Sequence, residues 1–254
     1  MDYLSIIGLV LGFAVIFGGN AIEGGALDSL LNGPAAIIVI GGTLAAIFLQ
    51  TPLPVLKRSF GALKWVFLPP HISIEDGIDK VVAWSVKARK EGLLGLESVL
   101  PKEREAFCKK GLQLLVDGSE PEQIRSVMEV DLYAREEHDL NSAKVFESMA
   151  GYSPTIGIIG AVLGLIQVMR SLADPSSLGA GIATAFVATI YGVGLANLLF
   201  LPMANKLKQQ VEQKMLYHEL LAEGIIAISQ GESPLNIELK LEAYRVERPS
   251  LVDE

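Results

Sequence analysis

The chain has 254 residues, half of them hydrophobic, with a formal net charge of −8 and a mean hydropathy of +0.41. This composition excludes an ordinary soluble domain and points to an integral membrane protein. The acidic balance, with no Arg/Lys stripe interleaved with aromatics, excludes nucleic acid as a partner. Cys108 is the single cysteine, which excludes an internal disulfide and a cysteine zinc cluster. His71, His138 and His218 are too scattered to read as a metal motif, so neither a metal nor a cofactor is expected.

In chain order, the first two apolar runs, Tyr3 to Gly19 and Pro34 to Gln50, are free of charges and just long enough to cross a bilayer. Met1-Asp2 offers no positive leader and no small-x-small cleavage site follows, so the first run reads as a span rather than a removed signal peptide. From Thr51 to Lys144 the chain is charged and mostly helical. Pro52, Pro54, Pro69 and Pro70 punctuate its entry, and Asp76 to Gly92 has apolar positions at helical spacing up to a glycine stop. Leu94 to Leu100 continues after that break, and Lys102 to Val116 is amphipathic up to Asp117-Gly118. From Glu120 the helical pattern leads without a breaker into the third run. Runs three and four, Ser148–Met169 and Leu178–Pro202, are built of glycine, alanine and threonine and contain no Asp, Glu, Lys or Arg. Asn205 to Gln230 keeps a helical period until Gly231 and Pro234, so spans three and four are expected to continue beyond the membrane as unbroken helices.

With no strand alternation and no repeat, the expected fold is an all-α integral membrane protein with four transmembrane helices. A helical cytoplasmic domain lies between spans two and three, and a helical extension follows span four. The expected boundaries are 1–52 for the first hairpin, 53–147 for the cytoplasmic domain, 148–203 for the second hairpin and 204–254 for the C-terminal helix and tail. Fourteen of the 21 basic residues lie between Lys57 and Lys144 and six more follow Pro202, whereas the connections at 20–33 and 171–177 have none. The positive-inside rule then places the middle segment and both termini in the cytoplasm.

Intramembrane carboxylates are the usual ion relay, and these spans have none, so an ion-carrying group must come from a partner chain. Pro154 and Pro202 lie toward the cytoplasmic ends of spans three and four, where each frees a backbone carbonyl. They read either as tolerated kinks or as a pair of hinges. Thr155, Thr184 and Thr189 are hydroxyls at depth, which serve packing by bonding back to their own helix or form a polar lining. Gly157, Gly160 and Gly164, with Gly192 and Gly194, supply faces for close helix contact. Arg89, Lys90 and Glu97 surround the Gly92 break, as a solvated face or as a docking patch for a charged partner.

Together these residues resemble the MotA/PomA family of flagellar motor stator proteins over nearly the whole chain. The resemblance is densest in ARKEGLLGLE from Ala88 to Glu97, SPTIGIIGAVLGL from Ser153 to Leu165, and ATIYGVGLANLLFLPMANKLK from Ala188 to Lys208, followed by ISQGESP from Ile228 to Pro234. It implies an inner-membrane ion-conducting stator subunit. Its implied partner is a MotB/PomB-type B subunit that carries a peptidoglycan-binding domain and the ion-binding aspartate. Five A subunits are implied around a B dimer, with ion passage stepping that ring and the cytoplasmic charges driving the rotor protein FliG. Carried over by position, Pro154 and Pro202 are the conformational prolines, Thr189 is the pore threonine, and Arg89 and Glu97, with Lys90 behind them, are the rotor contacts. Sodium-type relatives have a threonine where Ala161 stands and an acidic residue near Asn32, so the transported ion is expected to be H+ rather than Na+.

Two other readings predict different behaviour. Ion-driven energisers of the ExbB/TolQ type have related third and fourth spans, but typically three spans and no counterpart to the Arg89/Glu97 block. A structural scaffold would use the same small-residue packing without an ion path. An enzyme is not expected, because no set of nucleophile, base and orienting group can be assembled.

Overall fold

The computed structural model describes residues 2–70, 72–170 and 175–245, and among these every regular element is helical. The first four residues of the predicted connection at 171–177, His71 and the tail from 246 onward lie outside the described residues. Four helices are long and apolar enough to cross a membrane. The chain divides into two compact units, Met1–Pro70 with Asp139–Gln210, and His71–His138 with Val211–Glu254.

In the first unit, α1 (Tyr3–Ile22) begins where the Asp2 carboxylate accepts from the Ser5 N–H at 3.2 Å, a side-chain cap for an orphan backbone donor. None of its residues is buried within the chain. Helix α2 (Gly33–Gln50) starts under the Asn32 side-chain oxygen, which accepts from Ala35 N–H at 2.9 Å, and widens into a π segment at Ile37–Gly41. Helix α3 (Leu53–Phe67) follows. The sequence grouped α3 with the cytoplasmic domain, yet its Ala62 and Val66 share an apolar cluster with Ile47, Phe146, Met149 and Leu207 and so belong to the membrane-helix unit.

Helix α6 (Pro121–Arg170) runs 50 residues without interruption, with Pro154 inside it. Helices α4 (Ile74–Glu91) and α5 (Ala106–Val116) precede it. Helix α7 (Pro175–Leu195) passes through a π segment, Ala196–Phe200, into α8 (Leu201–Ser229), and the short α9 (Pro234–Leu241) follows.

The second unit packs α4, α5, the start of α6, the end of α8 and α9 around Trp84, Phe107, Leu112, Met128, Leu220 and Ile225. Its helix ends are set by local chemistry. Ser73 caps α4 by accepting from Asp76 N–H at 3.1 Å, and Ser233 caps α9 by accepting from Asn236 N–H at 3.2 Å. Gly118 and Gly231, at φ +69° and +76°, end α5 and α8 in the left-handed region, where glycine carries no Cβ penalty. The amphipathic stretch predicted from Lys102 becomes helical only at Ala106, because the Glu103 carboxylate accepts from Glu105 N–H at 2.9 Å and holds a turn there. The helical C-terminal extension contributes Ile237 and Leu241 to this unit's core.

Candidate functional site

Helices α6 and α7 meet backbone to backbone. A Cβ added at Gly192 would lie 2.6 Å from the Ser153 carbonyl oxygen, 3.0 Å from Gly157 Cα and 3.2 Å from Pro154 Cα. One at Gly157 would lie 2.9 Å from the Ala188 carbonyl oxygen, and one at Gly164 would lie 2.7 Å from that of Gly181. Only residues without a side chain permit this approach, which gives apolar helices dispersion contact where lipid offers no hydrophobic drive. The buried Ser153 hydroxyl donates to the Gly192 carbonyl at 3.0 Å and bolts the two helices together beside Pro154.

Pro154 thus faces Gly192, one helical turn beyond Thr189. The sequence put the two prolines at related depths. Since Pro202 lies ten residues beyond Gly192, it is displaced along the helix by about 15 Å. Ala161 and Thr189 are the chain neighbours of Gly160 and Ala188, which are themselves in contact, so they lie at one level of the hairpin. Thr189 is exposed, and its hydroxyl donates back to the Ala185 carbonyl at 3.2 Å. That bond satisfies the proton and leaves the oxygen lone pairs facing outward from the chain. Among the exposed residues on this side of α7 are Ile182, Phe186, Thr189, Val193 and Asn197, spaced by three or four as one helix face requires.

Helix α7 is also clamped to the connection before α2. The Tyr191 hydroxyl donates to the Leu30 carbonyl at 2.5 Å and accepts from Asn32 N–H at 3.3 Å, and the Asn32 side-chain amide donates to the Thr184 hydroxyl at 3.1 Å. Thr184, read as a candidate lining hydroxyl, is therefore engaged in packing. Sequence reasoning missed Ser153, Tyr191 and Asn197. Their signal was polarity inside runs free of charge, a signal they share with Thr155, Thr184 and Thr189, and the two π segments left no mark in the sequence at all.

Arg89, Lys90 and Glu97 are exposed, in the last turn of α4 and the 3-10 turn Leu93–Ser98. Gly92, at φ +77°, makes the corner between them. None of the three forms an ion pair or hydrogen bond among the described residues, although nearby Lys87 pairs with Glu91 at 2.9 Å. Unpaired charges on a sharp corner remain free for an external surface.

Several buried titratable groups of the second unit engage one another, although His218 Nδ1 has no hydrogen-bond partner among the described residues. The His218 ring stacks on Phe107 at 4.6 Å, and its Nε2 lies 2.5 Å from the Glu105 carboxylate. Glu105, Glu103 and Cys108 could gather around an ion, but the Lys80 ammonium already sits 2.8 Å from Glu103 and 3.8 Å from the Cys108 sulfur. Burial pushes the Cys108 thiol pKa well up, with the Glu105 charge adding to it, which disfavours the thiolate that a metal requires.

Residues 100–220 match the family model described as the MotA/TolQ/ExbB proton channel family, and residues 6–91 match the one described as Motility protein A N-terminal. Motility protein A of Bacillus subtilis (strain 168) is 35% identical over 245 residues, covering 96% of this chain and 91% of its own. Among solved structures, that of C. jejuni MotAB superposes with a TM-score of 0.91 at 31% identity, covering 98% of both chains. The flagellar MotAB stator complex from Bacillus subtilis gives a TM-score of 0.86 at 34% identity, covering 95% of both.

Proposed function

The chain belongs to the MotA family of flagellar motor stator subunits, and from that premise we propose how its residues perform that work. It is a multi-pass inner-membrane protein that forms the ion-conducting stator with a MotB-type partner in an oligomeric complex. Both termini lie in the cytoplasm, on the side marked by the basic residues. The partner's aspartate carries the ion, five copies of this chain surround the partner pair, and ion passage drives the ring against the rotor protein FliG.

One observation carries this reading. Helices α6 and α7 pack backbone to backbone through their glycines, yet neither span contains a carboxylate. A charge-free hairpin of this kind conducts only with an ionisable group supplied from outside. Thr189 then offers oxygen lone pairs to that group, Pro154 and Pro202 give the helices compliance, and Arg89, Lys90 and Glu97 face the rotor. Each charge crossing the membrane potential releases about 2.3 kcal/mol per 100 mV, enough to bias a step whose barrier is a few kcal/mol.

The transported ion is the proton. Ala161 stands level with Thr189 and brings no hydroxyl, so a hard cation finds one oxygen ligand fewer, whereas a proton needs only the partner carboxylate. Cells whose sole stators are this chain and its partner should keep swimming when sodium is removed at constant pH and membrane potential. Swimming lost only on sodium removal would overturn the ion choice. Absence of swimming in both media, with the complex assembled, would favour an energiser of the TolQ/ExbB kind or a scaffold.

A further inference from the structure

We propose that Asn197 is a further station on the ion pathway, receiving the cation or its hydrating water on the cytoplasmic side of Thr189. This rests on the stator reading above. Asn197 is exposed and lies in the π segment that continues α7, four residues beyond Val193, and it is eight residues and thus about 12 Å nearer the cytoplasm than Thr189. Its amide donates to the Val193 carbonyl at 2.9 Å, which leaves its side-chain oxygen without a donor among the described residues. An amide oxygen held open within a membrane span is costly unless water, an ion or another polar group meets it.

The backbone around Asn197 adds a second acceptor. Asn197 lies in the π segment Ala196–Phe200, where Leu201 N–H reaches back to the Ala196 carbonyl. Pro202 then has no N–H to give, and whether the turn continues in the α or the π register, the carbonyl of Leu198 or of Asn197 loses its intrahelical donor. Two acceptors without donors, one side chain and one main chain, suit a proton carried on water or a partly hydrated cation.

There is also room for water. Asn197, Leu198 and Pro202 line a cavity of about 260 Å³ against α1 and α3, with Ser5 and Lys206 in its wall. That volume holds several waters, and the polar groups needed to anchor them are present. Lys206 does not repel a cation there as a free ammonium would, because it is ion-paired with Asp2 and bonded to the Ser5 hydroxyl. Lys206 and Asp2 are the charged groups to reckon with around this cavity, and together they are neutral.

Purified complexes with the MotB-type partner, reconstituted in liposomes, test this by ion flux under an imposed potential. The wild-type complex must conduct; if it does not, the stator reading itself fails and Asn197 is not the cause. With wild-type flux established, assembled Asn197→Leu should lose about tenfold or more, the cost of one hydrogen bond to the moving ion, whereas Asn197→Ser should retain most of it. Asn197→Asp should make the flux pH-dependent, because the introduced carboxyl bears a charge only when deprotonated. A packing role would produce neither the pH dependence nor the rescue by serine. Wild-type flux in Asn197→Leu overturns the proposal. Should that variant not assemble, pH-independent wild-type flux in Asn197→Asp overturns it equally.

Discussion

The Ser153 hydroxyl and the Gly192 carbonyl oxygen, 3.0 Å apart, join the third and fourth spans at the residue before Pro154. A proline in the middle of a helix is a point of compliance, but this one is splinted to its neighbour by a buried hydrogen bond and by backbone contact through Gly157 and Gly192. Movement at Pro154 must carry Gly192 with it. Beyond the contact the fourth span passes through the π segment Ala196–Phe200 to Pro202, ten residues past Gly192. Both prolines lie toward the same end of this contact, which runs from Ser153 against Gly192 to Gly164 against Gly181.

That contact makes glycine obligatory at position 192 and optional two residues later. A Cβ at Gly192 meets main-chain atoms that cannot turn aside, whereas one at Gly194 meets nothing within 4 Å. Gly192→Ala should destabilise the purified complex by about 1–3 kcal/mol, read as a lower unfolding temperature in detergent. Gly194→Ala should match the wild type.

Replacing Pro154 by alanine restores a backbone donor and stiffens α6 without adding volume to the interface. Assembly with the B subunit, measured by co-purification, should be intact and rotation of tethered cells abolished. Normal rotation by Pro154→Ala would remove the hinge role.

The exposed corner at Gly92 invites a charge test. Arg89→Glu or Glu97→Lys should leave stability within about 0.5 kcal/mol, since neither side chain touches a feature that folding depends on. Either change should nevertheless stop rotation with ion flux retained. Compensating reversals on the rotor's facing helix should restore rotation, because charge complementarity fixes register more than affinity.

The second unit should lose stability in acid through Glu223. Burial raises the pKa of this carboxyl, but Lys240 at 2.5 Å and Arg125 at 3.4 Å outweigh it, and the group is held below its ordinary value of 4.5. A carboxyl with a lowered pKa binds its proton more weakly when folded. Its contribution is complete above the ordinary value and disappears as pH falls through the lowered one. Tryptophan-monitored unfolding of the purified complex should weaken progressively below about pH 4.5. Glu223→Gln should flatten that dependence while costing some stability at neutral pH.

Much of this architecture is written in local pattern. The four spans follow from runs of apolar residues free of charge, and the 50-residue α6 follows from a helical pattern that leads from Glu120 into the third run without a breaker and continues through Pro154. Arg89, Lys90 and Glu97 could be singled out because a glycine break among charges is visible in one dimension. The grouping of α3 with the membrane helices could not, since Ala62 and Val66 find Phe146 and Leu207 only after the chain has folded back.

By itself the sequence determined the membrane class, the helix count and the need for a partner, because hydropathy, helical period and the absence of a carboxylate are properties of the chain before it folds. Only the tertiary structure decided what the polar residues within the spans do. Ser153 became a bolt, Tyr191 and Asn32 a clamp and Asn197 an open acceptor. Their roles depend on which backbone atom lies within 3.5 Å across a helix interface, and on where a π segment shifts the register, and neither distance nor register is encoded at any single position.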